Sequence, residues 1–178
     1  LSRIQATDPL TGLANGEVLL DRLQQRLSAA GTGLNTVALL CIGIDQLSKV
    51  NGALSHRAGD RLMADLASRL AAASGPEDLL ARGHGDSFLV LLHDTVSAEA
   101  SGTAAAERLR QACREPVDLD GQVFHPSVSI GIAVAAPGAT ADELLRDAHL
   151  AMRQASAEGR DRWVLAHRDL TEQPRRLL

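Results

Sequence analysis

"ARGHGDSFLVLL", residues 81–92, sets the architecture of this chain. Apolar residues on both sides of a polar knuckle, His84-Gly85-Asp86-Ser87, describe two strands meeting at a tight turn. The pattern predicts a strand over 78–82 and another over 87–92, with Gly85 permitting the sharp bend. The apolar run that follows the turn marks the hairpin as buried. A carboxylate, Asp86, stands at its tip with no second acid beside it.

Working outward, "TVALLCIGI" (36–44) is a continuous apolar run of strand length and is expected to lie centrally in a sheet. Residues 46–73 read as helical with one break, a loop through Asn51-Gly52; Leu62, Leu66 and Leu70 form the buried stripe of the second helix, and Gly75-Pro76 stops it. Toward the N-terminus, "DPLTGLAN" (8–15) carries turn residues, and Asn15 can cap a helix bearing Leu19, Leu20, Leu23 and Leu27, with Gly31 and Gly33 past its end.

Downstream, a helix is expected over 98–114, with Leu109 and Cys113 one turn apart. The Asp-Gly pair of "VDLDGQVF" (117–124) signals a second hairpin. "SVSIGIAVA" (127–135) reads as an interior strand, and Thr140 with Glu143 makes a capping box for a helix over 141–157. "RWVLA" (162–166) is a last short strand. Strands interleaved with helices, and hairpins beside crossovers, imply an α+β domain with a mixed sheet and helices on its faces. One domain is expected over residues 1–168, with 169–178 opening a connector to a following domain.

The 178 residues are 45% hydrophobic but only 2% aromatic, without tyrosine, so the core must be aliphatic. A net charge of −4 opposes broad nucleic-acid binding, and Phe88, Phe124 and Trp163 are too few for a base-stacking platform. Cys41 and Cys113 lie in apolar or amphipathic runs without a CxxC spacing, and read as core residues. No run reaches membrane length and no signal peptide opens the chain, which suggests a cytoplasmic, soluble protein with no membrane insertion by this segment.

Several stretches together resemble the GGDEF family. "DPLTGLAN" is similar to its D-x-L-T-G-L-x-N opening, and "IGIDQLSKVNGALSHRAGDRLM" (42–63) to its D-x-D-x-F-K-x-x-N-D…G-H-x-x-G-D segment. "ARGHGDSFLVLL" falls where the family has R-x-G-G-[DE]-E-F. "SVSIGIAV" resembles the S-x-G-I-A strand, and "DAHLAMRQASAEGRDRW" the closing A-D-x-A-M-Y-x-A-K-x-x-G-R-N helix. The resemblance covers about residues 6–166 and implies a palm-like, mostly antiparallel five-stranded mixed sheet with a small extra hairpin.

Active members of that family are diguanylate cyclases, in which two subunits each hold a GTP and a divalent metal is gripped by two carboxylates. Anchored on Asn51, His56, Gly59 and Asp60, the resemblance places the first metal aspartate on Gly43, and the second aspartate of that strand on Asp45. A slip of two residues would make Asp45 the metal ligand, but at the expense of the Asn51 and Asp60 register. The signature reads His84, Gly85, Asp86, Ser87, Phe88, so Asp86 takes the other metal position and Ser87 replaces the neighbouring acid. The phosphate-contacting lysines fall on Ser48 and Ser156, while Arg160 persists. The arginine of the family's R-x-x-D inhibitory site falls on Gly75, ahead of Asp78, and no ligand spacing joins His56 and His84 to Asp86.

The expectation is a non-catalytic regulatory or interaction module of cyclic-di-GMP signalling, with no cofactor and no catalytic residues. Asn51, Asp60 and Arg160 are vestigial nucleotide-binding residues, and Asp86 is at most a metal-site remnant. Expected partners are neighbouring domains of the same polypeptide (EAL, PAS or receiver), a second copy in a homodimer, and weakly bound GTP. Residual cyclase activity through Asp45 or Asp86, and a GTP-sensing module acting on an adjacent EAL domain, are the alternatives.

Overall fold

A computed structural model describes residues 6–29, 37–93 and 97–166. The expected connector from residue 169 onward, and Gly31 and Gly33, lie outside the described residues. In chain order the elements are α1 (Gly16–Ala29), β1 (Ala38–Ile44), α2 (Leu47–Ala53), α3 (His56–Ala73), β2 (Leu79–Arg82), β3 (Ser87–Leu91), α4 (Ala98–Ala112), β4 (Val117–Leu119), β5 (Gln122–Phe124), β6 (Val128–Val134), α5 (Ala141–Ala157) and β7 (Arg162–Leu165). Five strands form one sheet in the order β2-β3-β1-β6-β7, and β4-β5 is a separate hairpin. All pairings in the main sheet are antiparallel except β6 with β7.

The continuous apolar run of β1 is buried along its whole length because the strand is central and covered on both faces. Leu40 and Ile42 meet Leu62, Leu66 and Leu70 of α3 and Leu109 of α4 on one side. Leu39 and Cys41 meet Leu19 and Leu23 of α1 and Leu144 and Ala148 of α5 on the other. Phe88, the only fully buried aromatic, fills the first of these layers. At Gly131 of β6 a Cβ would collide with backbone atoms of Ala148 and Met152, so glycine there sets how closely α5 lies on the sheet.

Local signals close the elements where they were expected, within a residue or two. Asn15 Oδ1 accepts from Val18 N at 3.0 Å, capping α1. The Thr140–Glu143 capping box is formed, and Asp120 and Gly121 turn the small hairpin with φ of 54° and 86°. One expectation is corrected. Asn51 and Gly52 are helical, in the last turn of α2, and the chain breaks instead at Leu54-Ser55. Ser55 accepts from Ala58 N at 3.0 Å and starts α3, while buried Val50 holds α2 through the glycine.

Candidate nucleotide site

The loops after β1, between β2 and β3, and between α5 and β7 converge on one end of the sheet. His84, Gly85 and Asp86 of the signature turn are exposed, and Gly85 makes the expected sharp bend on left-handed backbone of φ 62°. Ser87 is buried and turned inward: its hydroxyl donates to His84 O at 2.8 Å, and it packs against Gly83. The hydroxyl standing in the second acidic position therefore serves its own turn.

Sequence reasoning missed how the turn is braced. Arg82 donates to Gly85 O from Nη2 at 2.7 Å and Nε at 3.2 Å, and to Asp8 Oδ2 from Nη1 at 3.2 Å. Asp8 also accepts from the Thr11 amide at 2.9 Å and hydroxyl at 2.7 Å. Burial pushes the Asp8 carboxyl upward, but the Thr11 and Arg82 donors outweigh it and hold it below the usual carboxylate range. The signal for half of this was present: an Asp three residues before a Thr in a Pro- and Gly-containing stretch is a side-chain-stabilised turn. Its link to Arg82, 74 residues away, was not legible.

At the end of β1, Gly43 lies opposite Ser87 of β3 and Ser129 of β6. A Cβ at Gly43 would lie 2.8 Å from Met152 Sδ, so the thioether of α5 covers the position from which a side chain would begin. Asp45, just past the strand, is buried and engaged through both oxygens. Its Oδ1 accepts from Ser129 Oγ and its Oδ2 from Ser127 Oγ, both at 2.6 Å, and Oδ2 also accepts from Asp161 N at 3.1 Å. Asp86 sits beside this strand end, with its carbonyl 3.4 Å from Ile44 N.

Asn51 of α2 packs on Gly59 of α3, the residue that precedes Asp60. The Asn51 amide lies directly against the Gly59 Cα, where any Cβ would displace it. Neither side chain has a hydrogen-bond partner among the described residues, and Asp60 is exposed. Arg160 is also exposed, on backbone of φ 64°, and is followed by Asp161 at φ 50°. Each such non-glycine residue costs on the order of 1–3 kcal/mol unless the surroundings impose it. Asp161 is imposed on from two sides, by Asp45 and by Arg110 Nη1 at 2.9 Å.

The remaining candidates fall elsewhere. Ser48 and Lys49 are exposed on α2, and Ser156 is half-buried on α5. Asp78 is engaged by backbone amides, accepting from Gly75 N at 2.9 Å and His93 N at 2.8 Å. His56 and His84 are exposed on separate elements.

A five-stranded mixed sheet whose central strand ends beside a hairpin turn, between helices on both faces, defines the class of α+β nucleotidyl-cyclase palm folds. The chain belongs to the family described as "Diguanylate cyclase, GGDEF domain", whose pattern matches residues 5–162. An uncharacterized Mycobacterium tuberculosis protein is 38% identical over 165 residues, 92% of this chain and 26% of that protein. The bifunctional diguanylate cyclase/cyclic di-GMP phosphodiesterase MucR of Pseudomonas aeruginosa is 33% identical over 162 residues, 90% of this chain and 23% of that protein. The chain thus spans about a quarter of the length of these relatives. The solved GGDEF domain of TpbB (YfiN) from Pseudomonas aeruginosa superimposes with a TM-score of 0.84 at 33% identity, covering 96% of this chain and 98% of that one. This is a GGDEF domain of cyclic-di-GMP signalling.

Proposed function

We propose that the chain is a regulatory GGDEF module that makes no cyclic di-GMP. The observation that carries this reading is Gly43, with Met152 Sδ packed over it at the end of β1. The family's chemistry needs a divalent metal held by hard oxygen ligands, and the residues present do not fit one. Gly43 offers no oxygen, both oxygens of Asp45 already accept hydrogen bonds, and the Ser87 hydroxyl is bonded within its turn. Asp86 stands alone. Removing one preorganised charge contact from a transition state slows a reaction by about 10²–10³. Loss of a metal carboxylate, the neighbouring acid and two phosphate-contacting lysines together leaves negligible turnover. Incubation with GTP and Mg²⁺ or Mn²⁺ tests this: no cyclic di-GMP is expected, and product that disappears in Asp86→Ala overturns it.

A second reading concerns the retained base-reading pair. An amide and a carboxylate with free hydrogen-bonding capacity, the amide packed on Gly59 and the carboxylate on the next residue, can read a guanine edge, which supports weak GTP binding without turnover. Titration calorimetry with GTP, and with Asn51→Ala and Asp60→Ala, tests it; absence of binding removes it.

The module acts on neighbouring domains of its own polypeptide, an EAL phosphodiesterase domain first among them, with a PAS or receiver domain or a second copy as further partners. The bifunctional name of MucR, which this chain matches over a quarter of its length, supports the first. The cytoplasm is the proposed location. Among the described residues no helix is long and apolar enough to cross a membrane, and Cys41 and Cys113 are free thiols.

A further inference from the structure

Gly131 of β6, the glycine that lets α5 close onto the sheet, stands opposite Cys41 of β1 in the ladder. The turn of α5 from Ala148 to Met152 therefore packs onto the sheet beside Cys41. Cys41 Sγ is 4.0 Å from His149 Nδ1, a weak contact if it is read only as a hydrogen bond. Met152, three residues further along α5, lays its Sδ over Gly43, and a Cβ at Gly43 would project from the same face of β1 as Cys41. A thiol, an imidazole and a thioether from two elements thus gather on one side of the sheet. Among the described residues neither Cys41 nor His149 has another side-chain hydrogen-bond partner. Cys41 is 2% exposed and Met152 half-buried, while His149 is exposed, so the cluster opens to solvent along the imidazole.

We propose that Cys41 and His149 bind a copper(I) ion, with Met152 as a weaker third ligand. Thiolate and thioether sulfur select Cu(I), and imidazole suits copper as well. Among the described residues no third His, Cys, Asp or Glu joins the pair, which leaves Zn²⁺ short of its tetrahedral shell. The separation points the same way. With metal–sulfur and metal–nitrogen bonds of about 2.3 and 2.0 Å, a tetrahedral angle would place Sγ and Nδ1 about 3.5 Å apart. The observed 4.0 Å opens that angle to about 135°, the wide geometry of an ion with few ligands. Binding involves no change of oxidation state. Cys41 Sγ bonds to the copper as its S–H proton leaves to solvent, and the Nδ1 lone pair of His149 donates to the ion while Nε2 keeps its proton. The ion ties β1 to α5 on the face opposite α2 and α3, which carry Asn51 and Asp60, so this site is separate from the nucleotide site.

The probe is Cu(I) itself, titrated without oxygen into the 178-residue chain against the chromogenic chelator bicinchoninate. The unaltered chain is expected to withdraw one equivalent of copper and to develop an ultraviolet thiolate–copper(I) band. Partners outside a coordination shell already change metal affinity by about 10–100-fold, so loss of a ligand costs at least as much. Cys41→Ala should abolish the band and weaken affinity about a hundredfold or more, and His149→Asn should weaken it about tenfold or more. Met152→Leu, which conserves volume, weakens it by less than His149→Asn does. Cys113→Ala, which removes the other buried thiol, leaves band and affinity unchanged. Circular dichroism verifies the fold of each variant; should Cys41→Ala fail to fold, Cys41→Ser, which keeps the size, takes its place. Copper retained by the Cys41 variant, affinity unchanged in His149→Asn, equal loss in Cys113→Ala, or no uptake by the unaltered chain overturns the assignment. Neither GTP nor cyclic di-GMP enters the assay, so its outcome is independent of the proposed function.

Discussion

Substitution of Gly43 by Asp puts back the oxygen whose absence underlies the functional reading, and the structure sets what that does to stability. The new Cβ would lie 2.8 Å from Met152 Sδ, 3.4 Å from Cε and 3.6 Å from Cγ, all atoms of one flexible side chain. An ordinary carbon contact is about 3.5–4.0 Å, so Met152 must leave its rotamer, at about 0.5–1.5 kcal/mol. The introduced carboxylate then stands at the strand end beside Asp86 without a counter-ion, bringing the total destabilisation in chelator to about 1–3 kcal/mol. A divalent cation reverses the sign. At about a hundred times its Kd a ligand specific for the native state stabilises by roughly 2.7 kcal/mol. For a chain of this size that corresponds to a rise in Tm of about 5–10 °C. Thermal melts followed by circular dichroism, in EDTA and in Mn²⁺, are expected to show this rise for Gly43→Asp and none for the unaltered chain. Adding Asp86→Ala to Gly43→Asp should remove it. An equal Mn²⁺-dependent rise in the unaltered protein would refute the reasoning, because a metal would then be held without an oxygen at position 43.

The other predictions concern the scaffold. Phe88→Ala, which removes the fully buried aromatic, should lower stability by about 3–5 kcal/mol in urea titration. Glu107, through the Arg110 hydrogen bonds first and Gln111 next, has its carboxyl lowered from 4.5 to about 2. Its folded pKa is depressed, so its contribution is complete above about pH 4.5 and is lost as the pH falls toward 2; Glu107→Gln should flatten the stability–pH curve in that window. Burial pushes the Cys41 and Cys113 thiols up to about 12, so neither should react with a thiol reagent at pH 8 until the chain is unfolded, a contrast read by absorbance.

Much of this molecule was legible in the residues themselves. The aliphatic runs of β1 and β6, the leucine stripe of α3, the Asp-Gly hairpin and the Thr140–Glu143 box are local patterns, set by which side chains recur at periods of two or 3.6 and which residues tolerate turn geometry. The family motifs added the register that puts glycine at position 43. The break between α2 and α3 was misplaced because Gly52 is a local stop signal that tertiary burial of Val50 overrides.

What the chain order could not contain is the set of partners brought in from far away. Asp45 reads in isolation as a candidate metal carboxylate. Only folding brings Ser127, Ser129 and the Asp161 amide to it, across 82, 84 and 116 residues, and so engages both its oxygens. The thioether of Met152 over Gly43, the grip of Arg82 on its own turn through Asp8, and the left-handed Arg160–Asp161 corner held by Arg110 have the same origin. Periodicity fixes which face of an element is buried, because that depends on neighbours along the chain. The occupancy of a lone pair or the conformation of a strained corner depends on neighbours in space, and these exist only once the sheet has closed.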